Sequence, residues 1–296
     1  QSEPARYEPN PKRRIDETVV LLGDREVSVV DLLAAVLRAV SAAAIEAVGF
    51  LPPAVLTYPV SWGARRRQVL AAALARAGWP PIDPVDMGQY GGSAAAPRPA
   101  APGLTRLVAE PVAAARYFSE VLRRPIPVGS AIAVFDFGGG TLDIAVVRNE
   151  GPDQSGRARF AVIGSGGVAE LGGLDLDAAL VEHLGRVVGP GNEEAWRQLM
   201  QPATVTQWRN RRQFWDDVRG AKEMLSRASA APVAVPGVEH AVHLTRDELE
   251  RVVAPLLRRG VAETAAVIES CRLTPDQLSG LFLVGGSSRV PLVARV

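Results

Sequence analysis

Cysteine and an excess of charge are the two features that this sequence most clearly lacks. Of its 296 residues one is a cysteine, Cys271, so the chain cannot form an internal disulfide. A single cysteine fits a reducing compartment, and we expect a cytoplasmic protein. The 33 Lys and Arg residues are balanced by 32 Asp and Glu residues, which gives a formal net charge of +1. Nucleic-acid and membrane-surface proteins need a basic excess, so we expect neither kind of partner.

Long hydrophobic runs are also absent. The most apolar stretch, VVDLLAAVLRAVSAAAIEAVGF at 29–50, carries three charged residues and spaces its large apolar side chains as an amphipathic helix does. We therefore expect no membrane span. The first residues, QSEPARYEPNPKRR, have no apolar core and do not resemble a signal peptide. The 47% of apolar residues is typical of a globular protein.

Apolar strand patterns alternate with helical patterns, which predicts an α/β fold. We expect a central sheet that includes residues 131–135, 142–147, 158–163 and 281–284. Its buried side chains are predicted to include Val134, Phe135, Leu142, Ile144, Leu283 and Val284. A helical outer part is expected at about 175–230. GQYGGSAAAPRPAAPG, residues 88–103, lacks periodicity and predicts a flexible insertion.

Three consecutive glycines lie between two apolar strands in AIAVFDFGGGTLDIAVV, residues 131–147. They form neither a P-loop, since no Gly-Lys-Ser/Thr follows, nor a dinucleotide fingerprint, since a strand follows rather than a helix. A hairpin turn needs fewer glycines, so we interpret the run at 138–140 as backbone N–H groups approaching an anion, with Thr141 adding a hydroxyl. Asp136 beside a phosphate would then indicate Mg²⁺ held through water. A hairpin with a loose turn and solvated acids is the alternative.

Three further stretches suit a nucleotide. LGGLDLD places two glycines before a helix, whose N-terminus favours phosphate or ribose. LVGGSSRVP follows a strand, at the end where ligands of α/β sheets bind. AEPVAAA places an acid just before a helix. The residues concerned are Gly172, Gly173, Gly285, Gly286, Ser287, Arg289 and Glu110. The alternatives are structural: a plain connection, a packing turn and stabilisation of a helix dipole.

Together and in this order, these stretches resemble the nucleotide-binding domain of the heat shock protein 70 family, the DnaK-type chaperones of the actin and sugar-kinase ATPase superfamily. VFDFGGGTLDIAVV is similar to that family's second phosphate loop, and AVLTYPVSWGARRRQVLAAALARAG to its strand and helix beginning with Val-Pro-Ala. LVAEPVAAARYF, LGGLDLDAALVEHL, AKEMLS and LFLVGGSSRVPLV resemble further motifs. The resemblance covers nearly the whole chain. It implies an actin-like ATPase fold with an incomplete first lobe at 1–127 and a second lobe at 128–296.

The resemblance also implies binding of ATP or ADP with Mg²⁺, and ATP hydrolysis in the parent family. The implied catalytic residues are Lys12, Glu110, Asp136 and Thr141, with Asp136 and Glu110 near Mg²⁺ through water. For Lys12, in PNPKRRI, a solvated basic cluster is the alternative. The implied nucleotide contacts are Gly138, Gly139, Gly140, Thr141, Gly172, Gly173, Lys222, Ser226, Gly285, Gly286, Ser287 and Arg289. Co-chaperones or nucleotide-exchange proteins are the implied protein partners.

The sequence departs from the family pattern in several places. Nothing matches the Asp-Leu-Gly-Thr-Thr loop that grips the phosphates from the other side, and the peptide-binding domain is absent. We therefore expect a fragment, truncated at both ends, that hydrolyses ATP poorly or not at all. Arg219 stands where the family has an adenosine-contacting Glu and Glu223 where it has an Arg, and the two could pair at helical spacing. Leu174 replaces another family acid.

Two other functions compete with this interpretation. One is a non-catalytic interaction module derived from an actin-like ATPase, which the missing loop and Arg219 favour. The other is a filament-forming or sugar-kinase relative of the same superfamily. The turn in VGGSSRVP argues against the second, because a Gly-Gly-Ser-x-Arg-x-Pro turn resembles the chaperones.

Overall fold

The computed structural model describes residues 6–87, 103–153, 156–240 and 242–296. All of the predicted insertion except Gly103 lies outside these residues. The strands within them are β1 Val19–Leu22, β2 Arg25–Ser28, β3 Val55–Tyr58, β4 Arg106–Ala109, β5 Ala131–Phe137, β6 Leu142–Pro152, β7 Ala158–Val168, β8 Ala230–Val233, β9 Val242–Thr245 and β10 Leu278–Val284. The α-helices are α1 Val29–Val48, α2 Ala64–Arg76, α3 Glu110–Arg116, α4 Gly173–Val188, α5 Glu193–Met200, α6 Val205–Met224 and α7 Arg246–Ser270. This mixture confirms the predicted α/β class.

The central sheet contains the four predicted strands in the order β10-β5-β6-β7. β10 runs parallel to β5, whereas β5, β6 and β7 pair in antiparallel fashion. The turn at 138–141 joins β5 to β6, and its register places Phe137 opposite Leu142 and Asp136 opposite Asp143. Both acids of the glycine motif therefore lie side by side at the end of the sheet.

Both faces of this sheet are covered, because successive side chains of a strand point to opposite sides. On one face Phe135, Ile144 and Val146 belong to a large core that includes residues of α4, α6 and α7. On the other face Val134 and Ala145 belong to a smaller core that includes Ala115 of α3. The apolar runs of β5 and β6 are thus explained by burial on two sides.

One burial prediction is wrong. Leu283 is 39% exposed, and its neighbour Leu281 on the same strand is 51% exposed. The reason is that β10 is the edge strand, and these side chains border an open apolar groove of about 360 Å³ beside α7. Val284 points to the opposite face, where it packs partly buried against the α3 side of the sheet.

The helices begin where the sequence supplies caps. Thr245 accepts a hydrogen bond from the backbone N–H of Glu248, whose side chain accepts from Thr245 in return, which completes the predicted capping box of α7. Thr204 and Gln207 form the same arrangement at α6. Among the described helices, none combines the length and the apolar character that crossing a bilayer requires.

The first part of the chain has a core of its own. The amphipathic helix α1 packs against α2, and β3 pairs in parallel with β4. A cluster of buried apolar residues holds these elements together: Ile15, Ala34, Trp62, Leu70, Ala73, Leu74, Ala77, Trp79 and Leu107. Ile15 follows directly after the short 3₁₀ helix Pro11–Arg14, so this cluster also anchors the basic segment that carries Lys12.

Candidate nucleotide site

The turn at 138–141 directs its backbone in a way that suits an anion. The carbonyls of Gly138 and Gly139 accept hydrogen bonds from the N–H groups of Gly173 (2.9 Å) and Leu174 (2.8 Å) at the start of α4. Within the described residues, the N–H groups of Gly139, Gly140 and Thr141 donate to no backbone acceptor. Three adjacent free N–H groups on glycine-rich backbone form a nest that favours negative charge.

The glycine pair Gly172 and Gly173 lies against this turn, although the sequence separates the two motifs. A Cβ on Gly172 would lie 2.6 Å from the carbonyl carbon of Gly140, so a side chain there would displace the turn at 138–141. The N–H of Gly173 donates to that loop, and its carbonyl accepts from Lys222. Because the first N–H groups of α4 hold the loop, they support the anion nest rather than extend it. Contact of Gly172 and Gly173 with a ligand stays a prediction.

The turn after β10 reaches the same place. Ser287 donates its hydroxyl proton to the Gly138 carbonyl at 2.8 Å. Gly285 has φ +86°, and a Cβ there would lie 2.3 Å from the Phe137 carbonyl oxygen and 2.7 Å from Asp136 Oδ1. Only glycine fits this backbone conformation at such close range. The glycine turn of LVGGSSRVP therefore packs against the end of β5.

The acids gather beside this turn in a small pocket lined by Val60, Glu110, Asp136 and Asp143. Glu110 is the first residue of α3, and its side chain is 20% exposed. Thr141 donates its hydroxyl proton to Asp143 Oδ2 at 2.7 Å, so this hydroxyl orients an acid in the present structure.

The electrostatics of this pocket are unfavourable without a further cation. Burial raises the pKa of Asp136 above its usual range, the Asp143 carboxylate raises it further, and Lys12 acts in the opposite direction. Burial also raises the pKa of Glu110, against the effect of Lys12 and together with that of the two aspartates. Like charges directly opposite each other in a sheet are destabilising. Perturbed acids in a cleft are typical of functional sites.

Two basic side chains of the 3₁₀ helix lean over the pocket and the turn. Lys12 Nζ lies 3.2 Å from Glu110 Oε1 and 5.8 Å from the centre of the Trp62 ring. Arg13 donates to the Gly140 carbonyl and lies 3.2 Å from Asp175 Oδ2. Sequence reasoning missed Arg13 and Trp62. The one signal for Arg13 was its place in the basic run PKRR, directly after Lys12.

Lys222 is held in a buried ion pair. Its Nζ lies 2.6 Å from Asp177 Oδ1 and donates to the Gly173 carbonyl at 3.0 Å. Arg219 also faces Asp177, at 3.4 Å, and lies 4.0 Å from Asp216. The suggested pairing of Arg219 with Glu223 is therefore wrong, because a buried carboxylate on α4 offers a closer partner.

The remaining predicted contacts lie at the rim. Arg289 is exposed and Ser226 is half-buried. Neither side chain forms a hydrogen bond or an ion pair within the part of the chain that the structure describes. In the same part, no group of three or more His, Cys, Asp or Glu side chains is close enough to hold a metal ion directly. A cation at the acids would therefore need water among its ligands.

Comparison with known proteins gives a consistent result. The family model described as "Hsp70 protein" matches residues 94–296. The chaperone protein HscA of Yersinia pseudotuberculosis serotype I is 34% identical over 210 residues, which cover 70% of this chain and 29% of that protein. The HscA homolog of Acidithiobacillus ferrooxidans is 30% identical over 275 residues, 90% of this chain and 36% of its own length. The chain spans about a third of the length of these relatives.

The fold and the ordered glycine turns define the chain as a mixed α/β domain of the actin-like ATPase class. The chain belongs to the Hsp70 family, and it corresponds to a part of the ATPase domain of these chaperones. The predicted resemblance is thereby confirmed.

Proposed function

We propose that this chain binds ATP or ADP with Mg²⁺ at the end of the central sheet and that it hydrolyses ATP poorly or not at all. The observation that carries this proposal is the convergence of three glycine turns on one anion nest, beside half-buried acids with raised pKa values. A loose hairpin with solvated acids would show neither feature.

The nucleotide's phosphates would lie against the N–H groups of Gly139, Gly140 and Thr141. Lys12 would approach from the other side and stabilise the charge that develops on the transferred phosphoryl group. The adenosine would extend toward α6 and the turn after β10, where Lys222, Ser226, Gly285, Gly286 and Arg289 are the proposed contacts. Arg289 could stack on the base, and the two glycines would let a flat ring approach backbone.

Mg²⁺ fits the donor set beside the nest. Three carboxylates, Glu110, Asp136 and Asp143, line the pocket. Lys12 acts on Glu110 and Asp136, and Arg66 acts on Asp143, so within the described residues the acids outnumber the cations that act on them. Mg²⁺ prefers carboxylate oxygens and keeps several waters, which agrees with acids too far apart to form a direct cage. When bound, Mg²⁺ would neutralise phosphate charge. Asp136 would hold it through water, and Glu110 would orient the attacking water.

The wider assignments belong to the same proposal. Residues 1–127 and 128–296 would be the two lobes, with the helices at 175–230 as the outer part of the second. Co-chaperones or nucleotide-exchange proteins would be the partners of the whole protein. A cytoplasmic location fits the single cysteine and the bacterial chaperones to which the chain is similar.

A binding experiment with Gly139→Val tests the nucleotide site. A Cβ on Gly139 meets no atom within 4 Å, so the variant is expected to fold, whereas the added side chain would project where a phosphate approaches. Isothermal titration at millimolar ATP with Mg²⁺ is expected to detect binding to the wild-type chain and to lose it in this variant, at an unchanged melting temperature.

The same titration distinguishes contacts to the phosphates from contacts to the base. Arg289→Ala is expected to weaken ATP binding and to leave pyrophosphate binding intact, since the arginine would contact the base alone. No binding to the wild-type chain would refute the proposed function and favour the interaction module. Binding that survives Gly139→Val would place the nucleotide elsewhere.

A further inference from the structure

We propose that Trp62 is a positioning residue that holds the ammonium group of Lys12 over the acid pocket by a cation–π contact. Lys12 Nζ lies 5.8 Å from the centre of the Trp62 ring, within the range of this interaction, and tryptophan is the strongest partner for it. The contact itself does not depend on nucleotide. The role in hydrolysis rests on the function proposed above.

The ring is a fixed support. Trp62 follows β3, its backbone N–H donates to the Pro59 carbonyl at 2.8 Å, and the residue is 9% exposed. It belongs to the same buried cluster as Ile15, which follows the 3₁₀ helix of Lys12. One residue further, Asp16 pairs with Arg66 at the start of α2 at 2.6 Å. Both partners of the contact are therefore anchored to one core.

The lysine needs such a support because its other restraint is weak. Its side chain is 54% exposed, and its ion pair with Glu110 is partly solvated. Glu110 also has a second proposed task, the orientation of water, during which it cannot serve as a fixed partner for the lysine. A carboxylate moreover cancels the lysine's charge. An aromatic ring restrains the ammonium and leaves its net charge available to a phosphate.

The contact can be tested without nucleotide. The chain has five tryptophans, so an indole N–H spectrum of the whole chain is expected to show five signals, of which Trp62→Phe removes one. Lys12→Met is expected to shift that signal and to leave the other four in place. An unshifted Trp62 signal would overturn the proposal, whether or not the chain hydrolyses ATP.

Hydrolysis tests the positioning role. Trp62→Leu removes the ring and is expected to lower kcat about two- to fivefold at an unchanged KM. The kcat of Trp62→Phe is expected to lie between those of wild type and Trp62→Leu. The loss is expected to vanish in the Lys12→Met background, since the ring then has no ammonium to hold. Trp79→Leu is the matched control, because Trp79 is equally buried in the same cluster but donates its indole proton to the Leu37 carbonyl.

The outcomes are distinguishable. A decrease of kcat in Trp79→Leu equal to that in Trp62→Leu would show a general loss of packing and overturn the positioning role. A Trp62→Leu effect that persists in the Lys12→Met background would do the same. If the wild-type chain does not hydrolyse ATP, the role of Trp62 in hydrolysis fails, while the indole spectrum still decides whether Trp62 holds Lys12 and the titration still decides whether nucleotide binds.

Discussion

The buried pair of Lys222 and Asp177 gives the sharpest test of how this fold holds its charges. The lysine side chain is 8% exposed and the aspartate side chain 1%, and their charged atoms lie 2.6 Å apart. Lys222→Met keeps much of the side-chain length and removes the charge. It leaves the Asp177 carboxylate buried, and within the part of the chain that the structure describes its remaining charged partner is Arg219, at 3.4 Å. Breaking one side of a buried ion pair costs about 3–5 kcal/mol.

Urea unfolding followed by circular dichroism measures this loss as a lower free energy of unfolding. Arg219→Ala is the matched control, because this arginine faces the same carboxylate but is 45% exposed, and a solvated pair contributes about 0–1 kcal/mol. The double variant Asp177→Asn with Lys222→Met is expected to lose less than the sum of its single changes, since it leaves no unpaired buried charge. A loss below about 1 kcal/mol in Lys222→Met would show that water reaches the pair and refute the reasoning.

Three further predictions follow from burial, close contact and charge. Ile144→Ala empties a fully buried position in the central sheet and is expected to cost about 2–5 kcal/mol in denaturant unfolding; less than about 1 kcal/mol would mean that the sheet is misplaced. Gly285→Ala adds a Cβ 2.3 Å from the Phe137 carbonyl oxygen at positive φ and is expected to lower the melting temperature clearly, so a variant that melts like wild type would contradict the close contact. The pKa of Asp136 is raised in the fold above its ordinary value of 3.8, so the stability that this group contributes is present below pH 3.8 and is lost as the pH rises through the folded pKa. Asp136→Asn is therefore expected to be more stable than wild type at pH 7 and to lose this advantage below pH 3.8. An advantage that is constant with pH would argue against a charge effect.

The sequence by itself determined the elements of this protein. β5 and β6 are apolar runs that suit strands buried on both faces, and α7 begins at its capping box because Thr245 and Glu248 satisfy each other's backbone N–H groups. The glycines at 138–140 could be interpreted as an anion-binding turn because local backbone freedom is a property of the residue type. Their order along the chain identified the family.

Only the tertiary structure decided which of these local features meet. Ser287 bonds to a carbonyl 149 residues away, at Gly138, and no periodicity encodes such a contact. The sequence allowed Arg219 to pair with Glu223 on its own helix, but the closer carboxylate is that of Asp177 on another helix. Leu283 has the apolar pattern of a buried strand, but its exposure depends on whether another element covers the sheet edge. Burial and charge pairing are set by distances through space, and these distances exist only once the chain has folded.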